Sequence, residues 1–251
     1  VTAAPETSVM RSATTGEPIT VVERRNRLGI WLCIVSDITG TVALLIAYAY
    51  LWSLNVGGGW APPNDAYAAP VPFWFIVLGF ALAATLMWWG VRGIRAGDAK
   101  RMVTAAALSS LIVLVTFVAQ VWQLSTFPFG VSDGAYASAT FWLALSAAFH
   151  LFTVFFLTTA VLGRTRKGLI SPANPYHAHL VAMFMTWTVI AAFLGALLAT
   201  TMTDSPNSKS PAFGGFSNEA AAPASPAAPA PSASASPAAS PAASPSASPG
   251  S

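Results

Sequence analysis

LGIWLCIVSDITGTVALLIAYAYLW, residues 28–52, decides how this chain is read. The stretch is apolar for longer than the ~20 helical residues that cross a hydrocarbon core of ~30 Å. It carries a single carboxyl, Asp37, and three arginines, Arg24, Arg25 and Arg27, stand just before it. A secretory signal has a shorter apolar region followed by a small-residue cleavage site. Neither feature fits, so the segment reads as a retained transmembrane helix. Residues 1–23 read as a flexible cytoplasmic leader.

Four further blocks of the same character follow, at about 72–91, 103–124, 138–162 and 179–202. Gly, Pro, Asn and Asp punctuate the segments between them, as loops require. Each block is continuous rather than alternating, which favours helices over the strands of a barrel. The composition agrees. Of 251 residues, 55% are hydrophobic and 8% charged, against about 25% charged in ordinary soluble domains. A soluble enzyme of normal composition is excluded. A disulfide scaffold is excluded by the single cysteine. Nucleic acid is no expected partner, because a net charge of +3 is small and the basic residues sit between apolar blocks. The expected fold is all-α: a polytopic integral membrane protein, a five-helix bundle spanning 24–203.

Orientation follows the Lys and Arg distribution. Arg92, Arg95, Lys100 and Arg101 lie between the second and third blocks, and Arg164, Arg166 and Lys167 between the fourth and fifth. The other two loops carry only Asp65 and Asp133. This predicts a cytoplasmic N-terminus and an outer C-terminus, in a bacterial-type cytoplasmic (inner) membrane. Trp52, Trp60, Tyr67 and Trp122 fall at outer boundaries, where amphipathic rings settle. Residues 204–251 are different material, almost wholly Ala, Pro and Ser from Ala220 onward. Such a segment has little apolar bulk to offset ordering entropy, so a disordered outer tail is expected.

Ionisable groups inside a span are costly and are functional candidates by default. Asp37, in Ser36-Asp37-Ile38-Thr39, is the first, with Ser36 and Thr39 as local donors. It serves either function or helix-to-helix gluing. His150, midway along the fourth block, is the second: a ligand, a proton relay or a packed imidazole. His177 and His179 open the fifth block, too far from the depth of His150 for bis-histidine haem ligation. One cysteine and one mid-membrane histidine do not make a copper site. Gln120, with Gln123 one turn on, is expected to bridge helices by hydrogen bonds. Gly40, Gly79, Ala84 and Gly195 are expected to let helices approach. Met183-Phe184-Met185-Thr186-Trp187 reads as packing rather than a cofactor box, and Gly57-Gly58-Gly59 as a turn.

These residues resemble a family. Gly29-Ile30-Trp31-Leu32-Cys33-Ile34-Val35-Ser36-Asp37, with Tyr48 eleven residues after the acid, resembles the opening of the last five helices of subunit III of haem–copper oxidases. That family shows Gly-x-Trp-Leu-Phe-x-x-Ser-Glu there, so Asp37 stands in place of its glutamate. Gly97-Asp98 with Lys100-Arg101 is similar to the family's basic turn, and Phe117 with Gln120 to its Phe-x-x-Gln. Tyr136, Phe141 and His150 resemble its next helix, and His179 the histidine that opens its last. Thr153, Gln123 and Ala182 depart from its pattern, and the tail is no part of it.

The resemblance implies a non-redox accessory subunit of a terminal oxidase in aerobic respiration. It would stabilise the catalytic subunit and support proton uptake during electron transfer to oxygen, without catalysing alone. No haem or copper is implied in this chain. Both are expected in partners: catalytic subunit I, and a copper or quinol-interacting subunit II. Bound membrane lipids are expected too, and Asp37 is implied as the buried carboxyl near lipid and the partner interface. Three alternatives stay open: a small transporter or proton-coupled carrier using Asp37 and His150, a haem-bearing membrane anchor, and an accessory subunit of a nitric oxide reductase.

Overall fold

A computed structural model describes residues 16–55 and 58–205. Five helices carry these residues: α1 (Ile19–Leu54), α2 (Pro70–Arg95), α3 (Ala99–Ser125), α4 (Ala135–Arg166) and α5 (Tyr176–Thr201). All five are long and apolar enough to cross a membrane, and no strand occurs among the described residues.

Helix ends lie where local chemistry sets them, not where hydropathy falls. Pro18 precedes α1, and Pro70 and Pro72 open α2, positions where the missing N–H costs nothing. Consequently α1 begins at Ile19, and residues 19–23, expected in the leader, are helical. Residues 1–15, most of the expected leader, and 206–251, nearly all of the expected tail, lie outside the described residues. Between α2 and α3 the chain turns in three residues. Gly97 takes φ 89° there, a conformation glycine adopts without steric cost. Asp98 then caps α3 by accepting from Arg101 N at 2.9 Å. Gly168, at φ 70°, closes α4 in the same way.

Packing is closest where side chains are smallest. At Gly79 an added Cβ would lie 2.2 Å from Thr116 Oγ1, and at Gly90 2.6 Å from the Ala105 methyl. Thus α2 and α3 run nearly backbone to backbone, as small residues allow in lipid, where van der Waals fit replaces hydrophobic drive. Ser109 Oγ donates to Ala83 O at 3.1 Å across the same seam. Gly40, by contrast, faces no atom within 4 Å, so it is not a close-approach site. The core joins Phe80, Ala83, Met87, Met102, Val113, Leu151 and Val154.

The helix α1 lies against α4 and α5 and is the most exposed of the five. In its most apolar stretch 6% of residues are buried, against 50% in α5. Leu28, Leu32, Val35 and Ile46 stand on its outer surface. At one end of the bundle, the basic end, lie Arg24, Arg92, Arg95, Arg101, Arg164 and Arg166. At the other, the aromatic end, Trp60 meets Tyr48 and Tyr136 edge to face, and Tyr136 in turn meets Tyr67 and Phe129.

Candidate functional site

Asp37 occupies the middle of α1, halfway between the basic and aromatic ends. Its carboxyl meets two other helices. His150 Nε2, from α4, lies 2.9 Å from Oδ2 and 3.1 Å from Oδ1. The Trp187 indole Nε1, from α5, donates to Oδ2. His150 is buried, its side chain 6% exposed, while Asp37 retains 28%. One ionisable cluster therefore ties α1, α4 and α5 at mid-depth.

The hydrogen-bond roles are constrained. An indole N–H can only donate, so Oδ2 must accept from it. The imidazole and the carboxyl face each other closely enough to share a proton. A carboxyl at a helix centre costs about 2.5–3.5 kcal/mol on insertion scales. Two donors from neighbouring helices are the kind of compensation such a group needs.

Sequence reasoning singled out Asp37 and His150 separately, and the fold brings them together. It expected other partners. Thr39 Oγ1 bonds back to Val35 O at 3.0 Å in its own helix, as hydroxyls in helices commonly do. Ser36 is exposed, and no bond from either to Asp37 forms. Trp187 was expected only to pack. Its position near the middle of α5, at the depth of Asp37 and His150, was the available signal. In the same run Phe184 and Met185 are buried core residues, as the packing reading expects.

Gln120 differs from expectation. It is 1% exposed, yet its Nε2 has no hydrogen-bond partner among the described residues, and neither does the side-chain amide of Gln123. Neither residue bridges helices directly. Instead Gln120 lines a cavity of about 30 Å³ in the bundle centre, together with Thr41, Ser146 and His150. His179 lies away from the site, at the basic end. Arg95 Nη2 donates to its Nδ1 at 3.1 Å, because a guanidinium has no acceptor. The Trp88 ring meets its ring edge-on. A neutral His179 therefore carries its proton on Nε2.

Two further features frame the site. Near the basic end, α1, α4 and α5 border a groove of about 630 Å³, lined by Arg25, Arg164 and His177 with Phe156, Leu157 and Leu180. At the aromatic end, Trp60 Nε1 donates to Thr203 O at 2.7 Å and Trp52 Nε1 to Asp204 O at 2.8 Å. Among the described residues no three His, Cys, Asp or Glu side chains gather as a metal-binding group.

No protein-family model matches the chain. Curated relatives do. Cytochrome c oxidase subunit 3 of Arabidopsis thaliana is 31% identical over 160 residues, covering 58% of this chain and 56% of that protein. The Triticum aestivum protein of the same name is 30% identical over 160 residues, covering 58% and 56%. That of Pylaiella littoralis is 26% identical over 150 residues, covering 55% and 52%. The chain thus spans just over half the length of the relatives it matches. Five helices long and apolar enough to cross a membrane and this set of relatives together describe a subunit III-like, multi-pass membrane protein, similar to cytochrome c oxidase subunit 3.

Proposed function

We propose that the chain is a non-redox accessory subunit of a terminal haem–copper oxidase. In this reading it supports a catalytic subunit I and a copper or quinol-interacting subunit II, which hold the haem and copper. It stabilises the catalytic subunit and sustains proton uptake while electrons pass to oxygen. The observation that carries the reading is similarity to proteins named cytochrome c oxidase subunit 3. The cluster of Asp37, His150 and Trp187 supports it, since it knits the exposed α1 to the bundle at the level of the bilayer centre. The N-terminal end is cytoplasmic and the segment after α5 lies outside, in keeping with the basic residues gathered at one end.

The groove at the basic end gives lipid binding a physical basis. Its apolar walls suit an acyl chain, and Arg25 and Arg164 suit an anionic headgroup. Arg164→Gln is expected to reduce co-purifying anionic phospholipid in native mass spectra. Unchanged retention would remove the groove from the proposal. The main experiment is subtraction. Purified oxidase lacking this polypeptide is expected to keep its haem spectrum and lose activity faster during turnover. Loss of a haem band would sink the accessory role.

A second reading is favoured by the direct bond between Asp37 and His150: a proton-coupled carrier using the pair as a relay. It expects uptake into proteoliposomes that Asp37→Asn abolishes. Proteoliposomes of the isolated chain that take up no solute or proton would exclude it.

A further inference from the structure

The cavity beside His150 has a floor, walls and a ceiling of unlike chemistry. Its floor is His150, whose Nε2 is committed to Asp37, leaving Nδ1 as the ring's second polar atom. Its walls include the hydroxyls of Thr41 and Ser146. Thr41 stands one helical turn beyond Asp37 on α1, and Ser146 one turn from His150 on α4, both toward the aromatic end. Its ceiling is Gln120, with an amide Nε2 that is buried and unpartnered among the described residues. The remaining lining is apolar: Phe73, Ile76 and Leu143 with the small residues of α5.

A buried polar group without a hydrogen bond is expensive, and an internal water is the usual remedy. Two conditions must hold. The space must exceed about 10–15 Å³, and the water must find two to four polar partners. The cavity, at about 30 Å³, meets the first. Gln120, Thr41, Ser146 and His150 meet the second. Gln120 is 1% exposed, so its amide presents almost no surface to a partner subunit bordering the bundle.

We propose that this cavity is an internal water site and that it is the route by which the Asp37–His150 pair exchanges protons. When the ring carries a proton on Nδ1 as well as the one shared with Asp37 at Nε2, the Nδ1 proton passes to the water oxygen and one of the water's own protons returns to Nδ1, so neither partner's charge changes. The exchange runs toward the aromatic end. There Gln123 continues the line of buried polar atoms, and Tyr48 lies against Thr140. The competing route is the exposed side of Asp37, toward whatever borders α1. The two routes make opposite predictions. The proposal does not depend on the oxidase reading, because its readout needs only the full chain in a bilayer.

The chain has three histidines, so 15N-histidine labelling gives signals from only three rings, two nitrogens each. Water-edited solid-state NMR on the unmodified chain is expected to transfer magnetisation from water to the His150 ring. No transfer would overturn the water site. Deuterium exchange at His150 is then compared in Gln120→Leu, which removes the amide, and Ala144→Val, which fills space. At least a tenfold slowing is expected in each, with His177 and His179 unchanged as internal references. Rates equal to those of the unmodified chain, in variants that retain their helicity, would assign exchange to the exposed side of Asp37 and overturn the route. Should Gln120→Leu fail to fold, Ala144→Val and the unmodified chain still decide the question.

Discussion

At the scale of single residues, the Asp37–His150–Trp187 cluster predicts a non-additive mutation series. His150→Leu leaves the Asp37 carboxyl with one donor, and the expected loss is about 1–2 kcal/mol, the upper part of what interhelical hydrogen bonds contribute in membranes. Asp37→Leu with His150→Leu removes both polar groups, so neither is orphaned. The double variant is therefore expected to lose less than the sum of the singles. Unfolding of the full chain in bicelles, followed by circular dichroism, reads all three. Strict additivity would mean that the pair shares no bond. The residues of this cluster were only partly legible in the sequence. Polarity inside a span exposes Asp37 and His150 one by one, because insertion cost is set by each side chain's own type and depth. Their pairing depends on how α1 and α4 rotate against each other, which a single hydropathy profile does not encode. Trp187 was hidden for a related reason: an indole is equally at home in packing and in donating, and only its neighbour decides between them. Gln120 shows the reverse, since its polarity suggested a direct bridge where the bundle leaves a hollow.

At the scale of elements, the α2–α3 seam is the tightest contact. Gly79→Ala would drive a methyl to within 2.2 Å of Thr116 Oγ1 and 2.7 Å of its Cγ2. Overpacking of this kind costs about 1–3 kcal/mol. Adding Thr116→Ala removes both clashing atoms, leaving the Cβ at 3.0 Å. The pair is therefore expected to recover most of the lost stability in the same unfolding titration. A double variant no better than Gly79→Ala would mean that the seam is looser than its glycines require. The helices themselves were legible at about the right places, because five apolar blocks contrast sharply with their loops. Their ends were not. α1 starts at Ile19 rather than near residue 28, and α4 runs from Ala135 to Arg166 rather than over about 138–162. Hydropathy reports where lipid ends, whereas backbone hydrogen bonding continues through Arg24, Arg25 and Arg27 until Pro18 interrupts it. At about 1.5 Å per residue, the 36 residues of α1 reach about 54 Å, well beyond a ~30 Å core.

At the scale of the whole molecule, the aromatic end is sensitive to alkali. Burial, and then the carboxylates of Asp204 and Asp65, raise the Tyr67 hydroxyl above its ordinary value. A raised acid binds its proton more tightly in the folded chain than in the unfolded one. Its contribution to stability is complete below about pH 10 and is lost as pH climbs through the folded-state value. Tyr67→Phe is expected to flatten the decline in thermal stability above about pH 10. An identical decline in the variant would place the alkaline sensitivity elsewhere.

Trp60 holds that end together from several directions. Its amide donates to Asn55 Oδ1 at 3.1 Å, its carbonyl accepts from Tyr136 N at 3.1 Å, and its indole reaches Thr203 O. These partners lie at the close of the first helix, the opening of the fourth and the exit from the fifth. During synthesis they emerge at widely separated moments, and the last of them only after every crossing has been threaded. The knot at Trp60 therefore tightens at the end of biogenesis. A nascent chain halted before residue 203 would keep that indole without its carbonyl, marking the product as unfinished to any factor that surveys exposed aromatic surface.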